Sequence, residues 1–217
     1  MTVRAVLFDI DGTLVDSNYL HVDAWQRAFA AVGAPVEAWR IHRDIGMDSG
    51  GLLADLLGDR ADELGDSATN EHSRLYREHV DRLRPLPGAR ELLDALRGRG
   101  FAVVLATSAP EDELTILLDV LGLGADELPT TSADDVDEAK PHPGIVQVAL
   151  DRAGVVADDA VFVGDSVWDM VAADRAGVAG TGVRSGGIGA DELADGGARE
   201  VVDDVAALLA RGDAWPR

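Results

Sequence analysis

The sequence has no cysteine in its 217 residues. Disulfides, thiolate zinc sites and thiol nucleophiles are therefore excluded together. It is also nearly without lysine, because its nineteen basic residues are eighteen arginines and the single Lys140. Against forty acidic residues this leaves a net charge of −21 and a pI near 4.3. A general nucleic-acid or anionic-membrane binder needs the opposite field, so neither partner is expected. No apolar run is long enough to span a bilayer, and the opening MTVRAVLFDIDGT has neither the apolar core nor the small-residue cleavage site of a signal peptide. A cytoplasmic location is the expectation. Internal repeats and low-complexity tracts are missing too, and the lack of a long apolar heptad argues only against a coiled coil, so a monomer or weak homodimer is expected. What the chain does have is 47% hydrophobic residues, enough for a substantial core and too many for wholesale disorder.

Short apolar runs of strand type alternate with helical patterns. That alternation predicts an α/β fold, a doubly wound parallel sheet with helices on both faces. The runs lie at 3–10, 101–106, near 128–132, 160–163 and 177–183. Helical patterns occupy 88–99, 111–121, 143–154, 166–176 and 202–211. Residues 16–84 break the alternation, with helical patterns at 21–32, 49–57 and 68–83 and no convincing strand. They close at Arg84-Pro85-Leu86-Pro87-Gly88, where prolines and a glycine punctuate the chain. The expectation is a core of residues 1–15 and 85–217 carrying an all-helical lid of residues 16–84.

Ligands of a doubly wound sheet gather beyond the carboxyl ends of its strands, so the polar residues that stop the runs are the candidates. The first run delivers Asp9 and Asp11, the second Thr107 and Ser108, the fourth Asp165, and Lys140 follows the third. Asp9 and Asp11 are two apart, which in extended chain puts both carboxylates on one face. Such neighbours ionise together only with a cation between them; otherwise one keeps its proton. A hard divalent ion resolves the repulsion, and Asp165 completes the oxygen set from a neighbouring strand. Mg²⁺ suits carboxylates, water and phosphate oxygens. A solvated strand end explains any one of these acids, but three strand ends supplying three acids, a hydroxyl and a lysine form a constellation.

Lys140 is a lysine kept in a chain that otherwise uses arginine. Lysine is a compact point charge that binds a phosphoryl oxygen without planar bidentate geometry. The plainer reading is a solvated lysine beside Asp134, Asp135, Asp137 and Glu138. Thr107 offers a hydroxyl to a phosphate oxygen, helped by the N–H groups that open the next helix. In Gly164-Asp165-Ser166-Val167-Trp168-Asp169 a turn opens a helix, with two acids one helical turn apart. Asp169 reads either as a first-turn acid favoured by the helix dipole or as a group that orients Lys140 or a metal-bound water.

Taken in order, FDIDGTLVDS (8–17), VVLATS (103–108), AKPHP (139–143) and VGDSVWD (163–169) resemble the haloacid dehalogenase-like superfamily of aspartate-nucleophile phosphohydrolases. The resemblance covers the whole chain and is strongest to phosphoglycolate phosphatase-like and β-phosphoglucomutase-like enzymes; DSNYLHVDAW at the entry to the insertion fits both. It implies a Rossmann-like core with a helical cap, and a Mg²⁺-dependent phosphoric monoester hydrolase acting on a small phosphorylated metabolite. By the same resemblance, Asp9 is the nucleophile that becomes an aspartyl phosphate, and Asp11 is general acid and then general base. Asp11 must then hold a proton while Asp9 does not. Mg²⁺ is held by Asp9, the backbone carbonyl of Asp11 and Asp165. Thr107, Lys140 and the N–H groups near Gly12 and Ser108 take the phosphoryl oxygens.

A phosphosugar mutase on the same core is the alternative. His21 sits where the β-phosphoglucomutase-like pattern has a hinge histidine, and it also reads as simple packing near Trp25. That pattern has a cap arginine where this chain reads IGMDSGG (45–51), and a cap lysine where this cap has none. Both absences point to hydrolysis. Arg40, His42, Arg43 and Asp48 are candidates for touching the non-phosphate part of the substrate. A metal-independent haloacid dehalogenase leaves Asp11 and the Asp165/Asp169 pair unexplained. A phospho-acceptor receiver domain would be far shorter, and a non-catalytic scaffold would be expected to have lost Asp9, Asp11 or Lys140.

Overall fold

The computed structural model, which describes residues 3–136 and 139–216, pairs the apolar runs into an all-parallel sheet. Its strands are β1 (Ala5–Phe8), β2 (Ala102–Ala106), β3 (Thr130–Thr131), β4 (Ala160–Gly164), β5 (Ala179–Val183) and β6 (Ala198–Val202), arranged β3-β2-β1-β4-β5-β6. The order reverses at β1, between β2 and β4, and a reversal of this kind opens a crevice beyond the strand ends.

The continuous apolar runs of the central strands are explained by burial on both faces. Val6 and Phe8 of β1, Val103 and Leu105 of β2, and Val161 and Val163 of β4 join one apolar cluster. Their neighbours Ala5, Leu7, Val104, Ala106, Ala160 and Phe162 join the other, because successive side chains of a strand point to opposite faces. The second cluster is covered by α7 (Gly144–Ala153), α8 (Val167–Arg175) and α9 (Ala190–Asp195), through residues such as Ile145, Met170 and Leu193. The first is covered by α5 (Ala89–Gly98), α6 (Glu111–Leu121) and α10 (Val205–Ala210), through Leu93, Leu117 and Leu208.

Between β1 and α5 the described chain carries four further α-helices: α1 (Asn18–Ala31), α2 (Ala38–Asp44), α3 (Ser49–Leu57) and α4 (Ala61–Arg77). Trp25 and Phe29 of α1 and Leu75 and Tyr76 of α4 continue the apolar cluster of the first face without a break. Where the chain leaves and rejoins the sheet it runs beside itself: Asp16 N–H donates to Arg84 O (2.9 Å) and Leu86 N–H to Leu14 O (2.8 Å). Among the described residues no helix is long and apolar enough to cross a membrane.

Departures from the sequence pattern have local causes. β3 keeps two residues, since only Thr130 and Thr131 reach the register of Leu105 and Ala106. β6 lies just before the helical pattern at 202–211 and escapes the strand pattern because Arg199 and Glu200 interrupt it, and charges of this kind are usual on an edge strand. The helix expected at 68–83 lies at Ala61–Arg77, where Asp62 and Glu63 in its first turn suit the helix dipole. The short helices α2 and α9, seven and six residues long, were too brief to show a period.

Candidate active site

Asp9 stands just past β1, and its N–H donates to Val163 O (2.9 Å), which carries the pairing with β4 one residue beyond the strand. Asp165 follows β4 in the same way, so neighbouring strand ends bring the two carboxylates together. Asp165 is oriented by two donors, Asn18 Nδ2 to Oδ2 (2.8 Å) and Thr13 Oγ1 to Oδ1 (3.0 Å). Backbone packs tightly around it. A Cβ at Gly12, whose φ is +71°, would come within 2.4 Å of both Asn18 Nδ2 and Asp165 Oδ2, and a Cβ at Gly186 would lie 1.6 Å from Asp165 Oδ2. Those two glycines let the loops close over the carboxylate.

Lys140 is fully buried. Its ammonium donates to Asp9 Oδ1 and, at 2.7 Å, to Asp169 Oδ1. Burial alone lowers a lysine's proton affinity, but Asp169 and Asp9 outweigh it and hold Lys140 above its ordinary range. The solvated-lysine reading is thereby overturned. Asp135 pairs instead with Arg152 (2.6 Å), while Asp137 and Glu138 lie outside the described residues. Asp169 satisfies both of its readings at once. Its Oδ2 closes a capping box with the Ser166 N–H (3.0 Å) and hydroxyl (2.7 Å), and its Oδ1 holds Lys140.

The charge balance of this buried cluster is short of cations. One ammonium faces Asp9, Asp165 and Asp169. Burial, with Asp169 beside it, pushes Asp165 up to about 8. Burial also pushes Asp9 well up, and Asp169 and Asp165 add to this against the opposing pull of Lys140. An uncompensated buried carboxylate costs several kcal/mol, so a further positive charge belongs here. Oxygens of Asp9, Asp165 and Asp169 lie within 4.8 Å of one another. Asp169 gives one oxygen to the Lys140 ammonium and the other to Ser166, and Asp9 Oδ1 also faces Lys140. Asp165 accepts only from the neutral donors Thr13 and Asn18, so the oxygens best placed for a hard cation are Asp9 Oδ2 and those of Asp165. This all-oxygen set fits Mg²⁺.

The Asp11 side chain is turned elsewhere, toward the helical insertion. Ser17 Oγ donates to its Oδ1 (2.5 Å), and His21 Nε2 lies 3.4 Å from the same oxygen. Burial would push Asp11 up, yet the hydrogen bonds from His21 and Ser17, with the charges of His21 and Lys140, bring it below its ordinary value. His21 is both a packing residue and a polar contact. Its ring stacks on Tyr76 (3.9 Å between centroids), Nδ1 faces His72 Nε2 (3.1 Å), and His72 stacks on Trp25 (4.1 Å).

Thr107 and Ser108 line the same cavity as Asp9, Asp11, His21, Lys140 and Asp165, which holds about 70 Å³. Thr107 Oγ1 accepts from the Ala109 N–H (3.0 Å), leaving its proton to donate, and the buried Ser108 Oγ has no partner. Gly12 serves by its shape, since its N–H is committed to Val15 O (2.8 Å). The proposed substrate contacts from the insertion do not line the cavity. Arg43 pairs with Glu192, Arg40 with Glu37 (4.0 Å), His42 Nε2 lies 2.8 Å from Gly186 O, and Asp48 caps α3 through the Gly51 N–H (2.7 Å). In their place stand Trp25, Ile45, Met47, Leu52 and, from α6, Glu113. Asn18 and Thr13 were within quoted motifs, so their side chains could have been suspected; the apolar wall gave no chemical signal.

A parallel-sheet protein with a carboxylate and lysine site at the ends of its central strands is thus defined. A family model for haloacid dehalogenase-like hydrolases matches residues 3–177, and the chain belongs to that family. It is 36% identical over 215 residues to a phosphoglycolate phosphatase of Rhodospirillum rubrum, covering 94% of this chain and 89% of that one. It is 31% identical over 180 residues to a phosphorylated carbohydrates phosphatase of Thermotoga maritima, covering 81% and 82%. The crystal structure of a hydrolase from Pseudomonas syringae matches with a TM-score of 0.94 at 36% identity, over 99% of this chain and all of that one.

Proposed function

We propose that the protein is a Mg²⁺-dependent phosphatase of small phosphomonoesters that works through an aspartyl phosphate on Asp9. The observation that carries this is the buried ammonium of Lys140 held between Asp9 and Asp169, in a cluster whose carboxylates outnumber its cations. Relatives named as phosphatases support it. Mg²⁺, when bound by Asp9 and Asp165, supplies the positive charge that lets a phosphoryl dianion approach a carboxylate.

Asp9 attacks phosphorus, and a carboxyl–phosphate bond forms as the bond to the alcohol oxygen breaks. Lys140 and the Thr107 and Ser108 hydroxyls hold the phosphoryl oxygens. Asp11 passes a proton to the departing alcohol oxygen and then takes one from the water that attacks the aspartyl phosphate. Among the protein groups alone, proton affinity runs opposite to the simplest form of that scheme, with Asp9 raised and Asp11 lowered. A cation held by Asp9 and Asp165 would oppose the first. For the second, the proton is carried by the Asp11–His21 pair, on the contact between His21 Nε2 and Asp11 Oδ1. Residues 16–84 act as the lid that excludes water during the first step. Hydrolysis is favoured over mutase chemistry because, among the described residues, Lys140 is the one lysine or arginine lining the cavity, so a second phosphate would find no partner.

Phosphate release from a panel of small phosphomonoesters, with Mg²⁺ and with EDTA, tests the reading. Glucose 1-phosphate with a trace of the 1,6-bisphosphate belongs in the panel. Release is expected to need the metal and to fall by at least about a thousandfold in Asp9→Asn. Isomerised sugar phosphate without free phosphate would establish the mutase instead.

A further inference from the structure

The cavity has two unlike ends. Asp9, Thr107, Ser108, Lys140 and Asp165 surround the phosphoryl position, so the alcohol part of an ester must point toward Trp25, Ile45, Met47 and Leu52. In that apolar wall sits one charged side chain, Glu113 in the first turn of α6, only 5% exposed. Buried carboxylates are ordinarily hydrogen-bonded. Among the described residues, nothing donates to this one.

The groups around Glu113 leave its carboxylate without a donor among the described residues: the Tyr76 hydroxyl, close enough to feel its charge, makes no hydrogen bond to it. His21 faces it, but the two ring nitrogens are turned to Asp11 and His72. Arg77, whose charge reaches Glu113 only weakly, is paired with Asp112 outside the cavity. Asp11 and Asp112 add like charge. Partial compensation comes from the N-terminus of α6, an eleven-residue helix. The carboxylate is therefore an acceptor without a donor, facing the space where the alcohol part of a substrate lies.

We propose that Glu113 selects the substrate by its alcohol part: it accepts a hydrogen bond from a hydroxyl or ammonium group there and rejects a carboxylate. This rests on the phosphatase reading and narrows it. The cavity, about 70 Å³ with its phosphoryl end included, suits an ester whose alcohol part is small. A carboxylate in that position would meet Glu113 with no arginine or second lysine lining the cavity to offset it. Like charges brought together in a water-poor site repel strongly. A hydroxyl or ammonium donor instead satisfies a carboxylate that no donor among the described residues reaches. Phosphoglycolate, with a carboxylate on its alcohol part, falls on the rejected side; glycerol 3-phosphate and phosphoethanolamine fall on the accepted side.

The test compares kcat/KM for glycerol 3-phosphate, phosphoethanolamine and phosphoglycolate, each relative to ethyl phosphate, in the wild type, Glu113→Gln and Glu113→Asp. Affinities of the same compounds for Asp9→Asn, measured by calorimetry, give the order without turnover. The wild type is expected to favour at least one donor-bearing ester over phosphoglycolate by about tenfold or more. Glu113→Gln should shrink that preference about tenfold, through KM rather than kcat, while Glu113→Asp retains part of it. A wild type that prefers phosphoglycolate, in rate or in affinity, overturns the proposal. So does a Glu113→Gln variant that lowers kcat equally for every ester, which would mark a structural role. Absence of turnover for all four esters would instead defeat the phosphatase reading, while the calorimetric order still decides what Glu113 selects.

Discussion

The floor and the roof of the cavity are built on different principles. The floor stands on strand ends, where backbone pairing fixes Asp9 beside Asp165 and a buried ion pair fixes Lys140 between Asp9 and Asp169. The roof stands on the insertion, on α1, α3 and the loop between α2 and α3, and is mostly apolar, with Trp25, Ile45, Met47 and Leu52. Its polar exceptions are His21 and, from the core side, Glu113. Charge at the floor is dense and mutually dependent, so changes there should abolish chemistry. Charge at the roof is sparse and single, so changes there should redirect or merely restabilise the molecule.

The largest effect is expected at Lys140. In Lys140→Arg the planar guanidinium must enter a fully buried slot shaped for an ammonium donating to two carboxylates. A fall of about 10²–10³ or more in kcat/KM is expected, the scale of losing one preorganised donor to the reacting group. Retention of activity within a few fold would show that the floor needs only a positive charge. Glu113→Gln should give the intermediate effect, a change of preference near tenfold, and would show that the roof governs which ester is taken.

The smallest effect is expected at Asp44 in α2. This residue is 6% exposed and its Oδ2 has no hydrogen-bond partner. Burial, with Asp55 facing it, pushes its carboxyl up to about 7. A carboxyl raised on folding contributes most when protonated, below its unfolded value near 4, and that contribution fades as pH rises through about 7. Asp44→Asn should therefore melt higher than the wild type at pH 8.5, by about 2–4 °C for roughly 1 kcal/mol, with the difference gone at pH 4. Melting curves at the two pH values check this; equal curves at pH 8.5 would mean that Asp44 is not strained by its surroundings.

The same contrast decides what could be read from the amino-acid order. Asp9, Asp165 and Lys140 each end or follow an apolar run, and a lone lysine among arginines announces itself. The doubly wound sheet was legible for a related reason: strands buried on both faces read as unbroken apolar runs. Glu113 carried no such mark. It is the third of three consecutive acids opening a helix, Glu111, Asp112 and Glu113, and all three look equally suited to the helix dipole. Only the packing of α6 turns the third inward, while Glu111 and Asp112 stay exposed. Ile45, Met47 and Leu52 were likewise illegible, since an apolar cavity wall and a core have the same composition. Arg40 and Arg43, which look more functional by type, spend their charge on Glu37 and Glu192.

The account rests above all on Asp9 as the group that takes the phosphoryl. The direct measurement is acid quenching of the protein during turnover of ³²P-labelled acetyl phosphate in Mg²⁺, followed by precipitation and treatment with hydroxylamine. The wild type, and more so Asp11→Asn if hydrolysis of the intermediate is slowed, should retain acid-stable label that hydroxylamine removes, and Asp9→Asn should retain none. Label that persists in Asp9→Asn, or turnover in the wild type with no trapped label at any time point, would contradict it.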